Sequence, residues 1–318
     1  MSPGIAARTT DDALAVEAAG VTFQNPLLLA AGTAGFGREL DEVVDLDALG
    51  GLVTKAVSPL PRHGNRAPRV GDFGGGMINA IGLANPGLAT VRDEQLPWCH
   101  AHLRRARVLV NVVGDSVEDF AEVVAGLDDR EGHAGYELNV SCPNVKHGGL
   151  EFGADRAALT AVVRGARAAT RRALFVKLSP TLTDLVEAAR IAIDAGADGL
   201  TLVNTLPGLV IDVERRRPQL GFGTGGVSGA ALLPIGVRAT WLVSRALPGV
   251  PIIGMGGVSR ASDALQYILA GATLVGMGTA AMRDPRAPGR LLRDLARWLD
   301  AHDVRAVESL RGTLEWPA

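Results

Sequence analysis

The chain has 318 residues, of which 47% are hydrophobic and 21% charged, so it can bury a large core, and this excludes an intrinsically disordered protein. Its 32 basic and 34 acidic residues give a formal net charge of −2, which offers no bulk electrostatic attraction for nucleic acid. No apolar run reaches the roughly 18 residues of a membrane span, no signal-peptide core is seen, and only two cysteines are present. We therefore expect a cytoplasmic protein that has no membrane contact.

The first 24 residues precede the regular part of the chain. Residues 1–12 are small and polar and are expected to be disordered, whereas residues 13–24 alternate loosely enough to predict an N-terminal hairpin. Eight short apolar runs follow, rich in Val, Leu and Ile, as is typical of parallel strands covered on both faces. The runs are 27–31, 52–57, 108–112, 136–140, 174–178, 200–203, 251–253 and 273–275.

Helical patterns lie between several of these runs. Ser116 is expected to cap one helix and Thr183 the next, and further helices are predicted at about 229–247, 262–270 and 288–301. The repeated strand–helix units predict an α/β protein with a (β/α)8 TIM barrel, and no linker divides residues 1–318 into more than one domain. A doubly wound open sheet is the alternative, but GTAGFG (32–37) matches its phosphate-binding turn only loosely.

The connection between the second and third runs is unusually long. Residues 58–107 contain prolines and glycines throughout, and such an irregular segment in a compact domain is typically functional or disordered. The stretch MINAI (77–81) is too apolar for a solvated linker. We therefore predict a long excursion after strand 2 that crosses the top of the barrel.

Polar residues follow the apolar runs at their carboxyl ends, where barrel enzymes hold their reacting groups. Lys55, Asn111, Asn139, Lys177 and Asn204 would all face the same mouth. A single lysine or asparagine in such a position is usually a solvated strand end. Five that converge favour a functional site.

Glycines follow the last two runs, in GMGGVS (254–259) and GMGTA (276–280). Barrels commonly hold a phosphate in these loops against backbone N–H groups, although ordinary turns would also use one glycine each. The pattern leaves open whether the phosphate belongs to a substrate or to a cofactor, so a sugar-phosphate isomerase is an alternative. No Cys or His spacing predicts a metal site.

Cys142 lies in ELNVSCPN (137–144), directly after a run, before a proline and between two asparagines. This placement favours a chemical role. The alternative is a small buried hydrophobic residue, as most free cysteines are, and Cys99 beside Trp98 fits that description better.

Several longer blocks follow one another along residues 20–285. They are NPLLLAAGTAGFG (25–37), VTKAV (53–57), NAIGLANPG (79–87), NVVG (111–114), SCPNVKHGGLEFG (141–153), VKLSP (176–180), NTLPG (204–208), GGVSG (225–229), GMGGV (254–258) and GMGTA (276–280). In these blocks and their order the chain resembles the dihydroorotate dehydrogenases. The resemblance is to class 1, whose base is cysteine, because class 2 enzymes carry serine there and an N-terminal extension. NVK-x-GG-x-x-FG and NAIGLxNPG are most similar to subclass B, the NAD-linked form.

The resemblance implies FMN in the barrel mouth, with Lys177 stabilising the anionic reduced flavin. The residues implied to hold the flavin are Ala31, Lys55, Ala56, Asn111, Asn139, Lys177, Val203, Gly229, Gly256, Gly257, Gly278 and Thr279. Those implied to bind the substrate are Lys55, Asn79, Ala80, Ile81, Gly82, Leu83, Asn139, Asn144, Asn204 and Thr205. Ala31 departs from the family, in which a hydroxyl residue is common at that position.

The implied activity is the oxidation of (S)-dihydroorotate to orotate in de novo pyrimidine biosynthesis. Cys142 would take the C5 proton while FMN N5 receives the C6 hydride. Electrons would pass to NAD through a partner subunit that carries FAD and a 2Fe–2S cluster, and two such partners would join a homodimer of this chain in a heterotetramer. The alternatives are a fumarate-linked class 1 enzyme, a dihydropyrimidine (uracil or thymine) dehydrogenase and a non-catalytic docking subunit.

Overall fold

The computed structural model describes residues 13–141 and 151–317. The strands are β1 (Val16–Ala18), β2 (Val21–Phe23), β3 (Leu27–Leu29), β4 (Gly51–Val53), β5 (Val70–Phe73), β6 (Gly76–Asn79), β7 (Arg107–Val112), β8 (Gly135–Asn139), β9 (Ala173–Leu178), β10 (Gly199–Leu202), β11 (Leu206–Gly208), β12 (Ile211–Asp212), β13 (Arg217–Pro218), β14 (Gly225–Ser228), β15 (Ile252–Met255) and β16 (Leu274–Met277). The α-helices are α1 (Gly87–Thr90), α2 (Leu96–His102), α3 (Val117–Leu127), α4 (Arg156–Ala169), α5 (Leu185–Asp194), α6 (Leu233–Ala246), α7 (Ala261–Leu269), α8 (Thr279–Arg283) and α9 (Ala287–Ala301). A π-helical turn, Val91–Gln95, joins α1 to α2.

Eight parallel strands close into a barrel in the order β10–β15–β16–β3–β4–β7–β8–β9. The barrel is closed at β10, where Leu200 pairs with Ile252 of β15 on one side and with Val176 of β9 on the other. Each barrel strand overlaps one of the eight predicted apolar runs, so the predicted TIM barrel is confirmed. The runs are mostly apolar and do not alternate with polar residues, because helices cover the outside of the strands while side chains fill the inside, as in β9, which is buried along its whole length.

A four-stranded antiparallel sheet accompanies the barrel, in the order β11–β14–β6–β5. Strands β5 and β6 come from the predicted excursion after the second barrel strand. Strands β11 and β14 come from a second excursion, after the sixth barrel strand, which the sequence did not predict. Residues of this sheet and of the barrel strand ends line the same cavity, so the first excursion crosses the mouth of the barrel as predicted.

Two short antiparallel pairs lie outside the barrel and this sheet. Strands β1 and β2 pair with Val16 opposite Phe23, which confirms the predicted N-terminal hairpin. Strands β12 and β13 pair with Ile211 opposite Pro218, within the second excursion.

The helices match the sequence predictions less closely than the strands do. Helix α3 is capped by Ser116 as predicted, with the Ser116 hydroxyl accepting a hydrogen bond from the Asp119 N–H at 3.3 Å. The prediction for Thr183 was wrong, because the carboxylate of Asp184 caps α5 by accepting from the Glu187 N–H at 2.9 Å. Charged side chains are stronger acceptors at a helix N-terminus, where the dipole favours negative charge.

Two further differences concern whole elements. Helix α4 was not predicted, although it has a regular buried face formed by Ala158, Leu159, Val162, Val163 and Ala166. Between β3 and β4 the chain forms a 3₁₀ turn, Leu46–Ala48, so the first strand–helix unit lacks the α-helix that the repeat predicts. Within the described ranges, no helix combines the length and apolarity needed to cross a bilayer.

Candidate active site

A cavity of about 930 Å³ opens between the carboxyl ends of the barrel strands and the four-stranded sheet. Its volume is near the upper end of the range for small-molecule sites, roughly 300–1,000 Å³. All predicted site residues in the described ranges line it: Ala31, Lys55, Ala56, Asn79, Ala80, Ile81, Gly82, Leu83, Asn111, Asn139, Lys177, Val203, Asn204, Thr205, Gly229, Gly256, Gly257, Gly278 and Thr279. Cys142 and Asn144 lie outside the described residues.

Two asparagines, one at the end of β8 and one just after β10, are joined by a hydrogen bond past the intervening strand β9. Asn204 donates through Nδ2 to Oδ1 of Asn139 over 3.2 Å, and Oδ1 of Asn204 accepts from the Thr205 N–H at 2.9 Å. Because each amide has one acceptor end and one donor end, these bonds fix how both side chains are oriented at the cavity. The pair therefore offers fixed donors and acceptors to a polar ligand.

Two lysine side chains bring positive charge to the cavity. Lys177 is only 7% exposed, and its ion-pair partner in the described part of the chain is Glu137, with Nζ 4.0 Å from Oε1. Lys55 has no hydrogen bond or ion pair to its ammonium group among the described residues. Partly buried ammonium groups with so few partners favour an anionic ligand.

A fully buried carboxylate lies beside Lys177 and was not predicted as a site residue. Glu137 on β8 accepts hydrogen bonds from Asn111 Nδ2 at 2.7 Å and from Thr201 Oγ1 at 2.8 Å. Asn111 and Lys177 line the cavity, whereas Glu137 does not. The carboxylate thus supports two cavity residues from the barrel interior.

Three glycines, Gly229, Gly256 and Gly257, lie together in one wall of the cavity. Gly229, Gly256 and Gly257 have φ angles of +97°, +121° and +73°, a region that side chains with a Cβ rarely adopt. Tyr267 holds this wall by donating from its hydroxyl to the Gly256 carbonyl at 2.8 Å. Helix α8 begins at Thr279, so its first N–H groups have no partner inside the helix. Such a wall of backbone donors fits a phosphate group.

The end of β6 and the loop after it form another part of the lining. Asn79 donates from Nδ2 to the Gly226 carbonyl at 3.3 Å, and Asn65 donates to the Ala80 carbonyl at 3.1 Å. Gly82 and Leu83 both have positive φ angles, +69° and +55°. Leu83 is not a glycine, and backbone strain of this kind is concentrated at ligand-binding loops.

Several polar residues that the sequence reasoning missed also line the cavity: Ser141, Glu151, Ser179, Ser228 and Arg283. Burial raises the pKa of the Glu151 carboxyl, and a hydrogen bond with Ser179 opposes this shift. The Thr279 hydroxyl is hydrogen-bonded to Ser228 at 2.8 Å. Ser179 comes two residues after Lys177, so its position at the same strand end was a signal that could have identified it. In residues 13–141 and 151–317, no group of three or more His, Cys, Asp or Glu is arranged to hold a metal ion.

The chain is similar to known proteins over almost its whole length. A family model described as dihydroorotate dehydrogenase matches residues 13–299. A protein of Geobacter sp. (strain M21), named dihydroorotate dehydrogenase B (NAD(+)), catalytic subunit, is 44% identical over 304 residues, with 95% of this chain and 98% of that protein covered. A Solibacter usitatus protein, named putative dihydroorotate dehydrogenase A (fumarate), is 45% identical over 303 residues, with 95% of this chain and 99% of that protein covered.

A solved structure is similar as well. A crystal structure of DHODH from Eimeria tenella, in complex with ferulenol, superposes with a TM-score of 0.82 at 25% sequence identity. The superposition covers 98% of this chain and 91% of that one.

Proposed function

This chain belongs to the dihydroorotate dehydrogenase family, and we propose that it oxidises (S)-dihydroorotate to orotate in the cytoplasm, with FMN bound in the mouth of a single barrel domain. The observation that carries this proposal is the convergence of the predicted residues. They come from segments as far apart as Ala31 and Thr279, and every one within the described ranges lines the same cavity.

The cavity has features that fit each part of FMN. The glycine wall formed by Gly229, Gly256 and Gly257 offers backbone donors for the phosphate. Lys177 and Asn111 offer a cation and an amide for the flavin ring and its side chain. When bound, FMN would supply the acceptor for the two electrons and the C6 hydrogen that leave the substrate.

The substrate is a cyclic ureide that carries a carboxylate, so it needs paired donors and acceptors and a positive charge. The linked amides of Asn139 and Asn204 supply fixed donors and acceptors. The Lys55 ammonium supplies charge, and Asn79 offers a further amide from the end of β6, where it is hydrogen-bonded to the Gly226 carbonyl. We assign Asn144 to the same role by its place in the family pattern.

Cys142 is the proposed general base. Its thiolate would accept the C5 proton of dihydroorotate as the C6 hydrogen departs with the electron pair, which leaves the C5–C6 double bond of orotate. A free thiol has a pKa of about 8.5, so modest stabilisation of the thiolate by nearby cations would make it an effective base near neutral pH.

The relatives' names bear on the electron acceptor. The Geobacter protein is named as an NAD(+)-linked catalytic subunit. We propose by this likeness that electrons leave this chain for NAD through a partner subunit with FAD and a 2Fe–2S cluster, in a heterotetramer built on a homodimer of this chain. A fumarate-linked enzyme is the second candidate, because the relative named for fumarate is 45% identical, as similar as the NAD-linked one at 44%.

Orotate production by the purified chain tests the substrate and the acceptor together. We expect a single turnover with dihydroorotate alone, no sustained turnover when NAD is added, and sustained turnover when a B-type electron-transfer subunit is added as well. Sustained turnover with fumarate and no partner would assign the fumarate-linked reaction instead. Reaction with dihydrouracil or dihydrothymine but not with dihydroorotate would overturn the proposed substrate.

A further inference from the structure

Glu137 is a charged side chain buried inside a barrel whose core is mostly apolar. It lies in the middle of β8, between Tyr136 and Leu138, and has no exposed surface. Its strand neighbours in register are Asn111 of β7 and Phe175 of β9. Burying a carboxylate costs free energy unless partners compensate it, so this position calls for a reason beyond packing.

Both carboxylate oxygens have partners. Oε1 accepts from Asn111 Nδ2 at 2.7 Å and lies 4.0 Å from Lys177 Nζ, while Oε2 accepts from Thr201 Oγ1 at 2.8 Å. These partners come from β7, β9 and β10, so one carboxylate connects three other barrel strands. A carboxylate only accepts, so it also fixes the amide of Asn111 with its donor end toward Glu137.

Glu137 and its three partners divide into two groups by whether they line the cavity. Asn111 and Lys177 line the cavity, whereas Glu137 and Thr201 do not. Any influence of Glu137 on a ligand therefore passes through Asn111 and Lys177, or through its charge. Replacing a buried ion pair by apolar residues is often neutral or stabilising, so stability alone is a weak explanation for Glu137.

We propose that Glu137 is a positioning residue for the flavin, an inference that rests on the proposed function above. It holds the amide of Asn111 in one orientation and partly neutralises the Lys177 ammonium from the side away from the cavity. The negative charge of Glu137 thereby limits how strongly Lys177 favours the reduced flavin, and so lowers the reduction potential of the cofactor.

The test is the midpoint potential of the bound flavin in Glu137→Gln, measured by anaerobic dye equilibration with the FMN-loaded protein. Glutamine keeps the size but removes the charge, so Lys177 is no longer neutralised and reduction becomes easier. We expect the equilibrium constant for reduction to rise at least tenfold, which corresponds to a positive shift of about 30 mV for a two-electron couple. Thr201→Val is the matched control, because it removes one hydrogen bond to the same carboxylate without changing charge, and its shift should be several-fold smaller.

A second substitution tests whether the effect runs through Lys177. Lys177→Gln should shift the potential in the negative direction. In that background Glu137→Gln should have little further effect, because no ammonium group remains for Glu137 to neutralise, whereas an undiminished positive shift would mean that Glu137 does not act through Lys177. A Glu137→Gln potential equal to that of the unsubstituted protein would overturn the inference. If Glu137→Gln does not yield folded protein, Glu137→Asp takes its place. The shorter side chain moves the carboxylate away from Lys177, so we expect a smaller positive shift of the midpoint potential. No shift would overturn the inference.

The outcome separates this inference from the proposed function. If the unsubstituted chain binds no FMN, the proposed function fails. If it binds FMN and is reduced by dihydroorotate, but the midpoint potential of the flavin is the same in Glu137→Gln, only the positioning role fails.

Discussion

The side chain of Asn204 donates a hydrogen bond to the side chain of Asn139 over 3.2 Å, across a separation of 65 residues in the sequence. This bond links the ends of two barrel strands that both point into the cavity mouth. Neither amide can rotate without breaking it, so the two residues act together in presenting donors and acceptors.

Asn204→Ala is expected to weaken substrate binding while sparing the flavin, because Asn204 is assigned to the substrate alone. Leaving a buried partner without its hydrogen bond costs about 1–3 kcal/mol, so we expect the KM for dihydroorotate to rise roughly tenfold or more. Asn139→Ala should raise KM and also lower FMN content, because Asn139 is assigned to both ligands. An Asn204→Ala protein that loses FMN at unchanged KM would contradict these assignments.

The glycine wall gives a prediction with a matched control. In Gly257→Ala the new Cβ would lie 2.7 Å from the Leu233 nitrogen, at a φ of +73°. Gly249 has a similar φ of +86°, but a Cβ there meets nothing within 4 Å, and Gly249 does not line the cavity. Both substitutions strain the backbone, by about 1–3 kcal/mol. We expect FMN affinity, measured by equilibrium dialysis, to fall more than tenfold in Gly257→Ala and to stay unchanged in Gly249→Ala.

The role of Cys142 is tested by measuring FMN binding and the rate of flavin reduction by dihydroorotate separately. Cys142→Ala should keep its FMN but lose flavin reduction by dihydroorotate, because no group remains to accept the C5 proton. Cys142→Ser should react slowly and faster as pH rises, since a hydroxyl is a weaker acid than a thiol and is rarely ionised at neutral pH. Stopped-flow rates of flavin reduction measure both. A near-normal rate for Cys142→Ala at neutral pH would show that another group is the base.

His133 gives a prediction for stability that does not involve the cavity. It is buried and hydrogen-bonded through Nε2 to the Tyr136 hydroxyl at 2.9 Å. Burial, with repulsion from Arg172, lowers the pKa of His133 from 6.5 to about 4. The unfolded chain therefore binds a proton near pH 6.5 that the folded chain does not bind until about pH 4. Stability is thus lost as pH falls through this window, by at most about 3 kcal/mol.

Urea unfolding at pH 7 and pH 5 measures this effect. We expect the free energy of unfolding to fall between the two values by more in the natural sequence than in His133→Gln, because glutamine does not titrate. Equal losses in the two proteins would mean that His133 contributes nothing to the pH dependence.

The barrel could be predicted because burial on both faces gives each strand a short, mostly apolar run. The eight predicted runs correspond to β3, β4, β7–β10, β15 and β16. The four-stranded sheet could not, because β14 reads GGVS and β11 reads LPG, with no alternation of apolar and polar residues to indicate a strand. Strand ends identified Lys55, Asn111, Asn139, Lys177 and Asn204, because parallel strands in a barrel all end at the same mouth. The cavity residues 79–83 lie in the first excursion and were named only by the family resemblance.

Glu137 was missed for a different reason. Within the run 136–140 it looks like a polar interruption without a role, and only the register that sets it beside Asn111 shows what it binds. Which residues pair between strands depends on the register of the folded barrel, so this pairing could not be predicted from the sequence. The same holds for the Asn139–Asn204 bond, which joins strand ends that are not adjacent along the chain.

An anaerobic titration of the purified chain with dihydroorotate, followed by its visible spectrum, tests the central claim most directly. We predict a yellow protein whose flavin bands bleach on addition of about one equivalent of substrate per flavin. Flavin bands that do not change with excess dihydroorotate, or a protein that takes up no FMN even after reconstitution, would contradict the account.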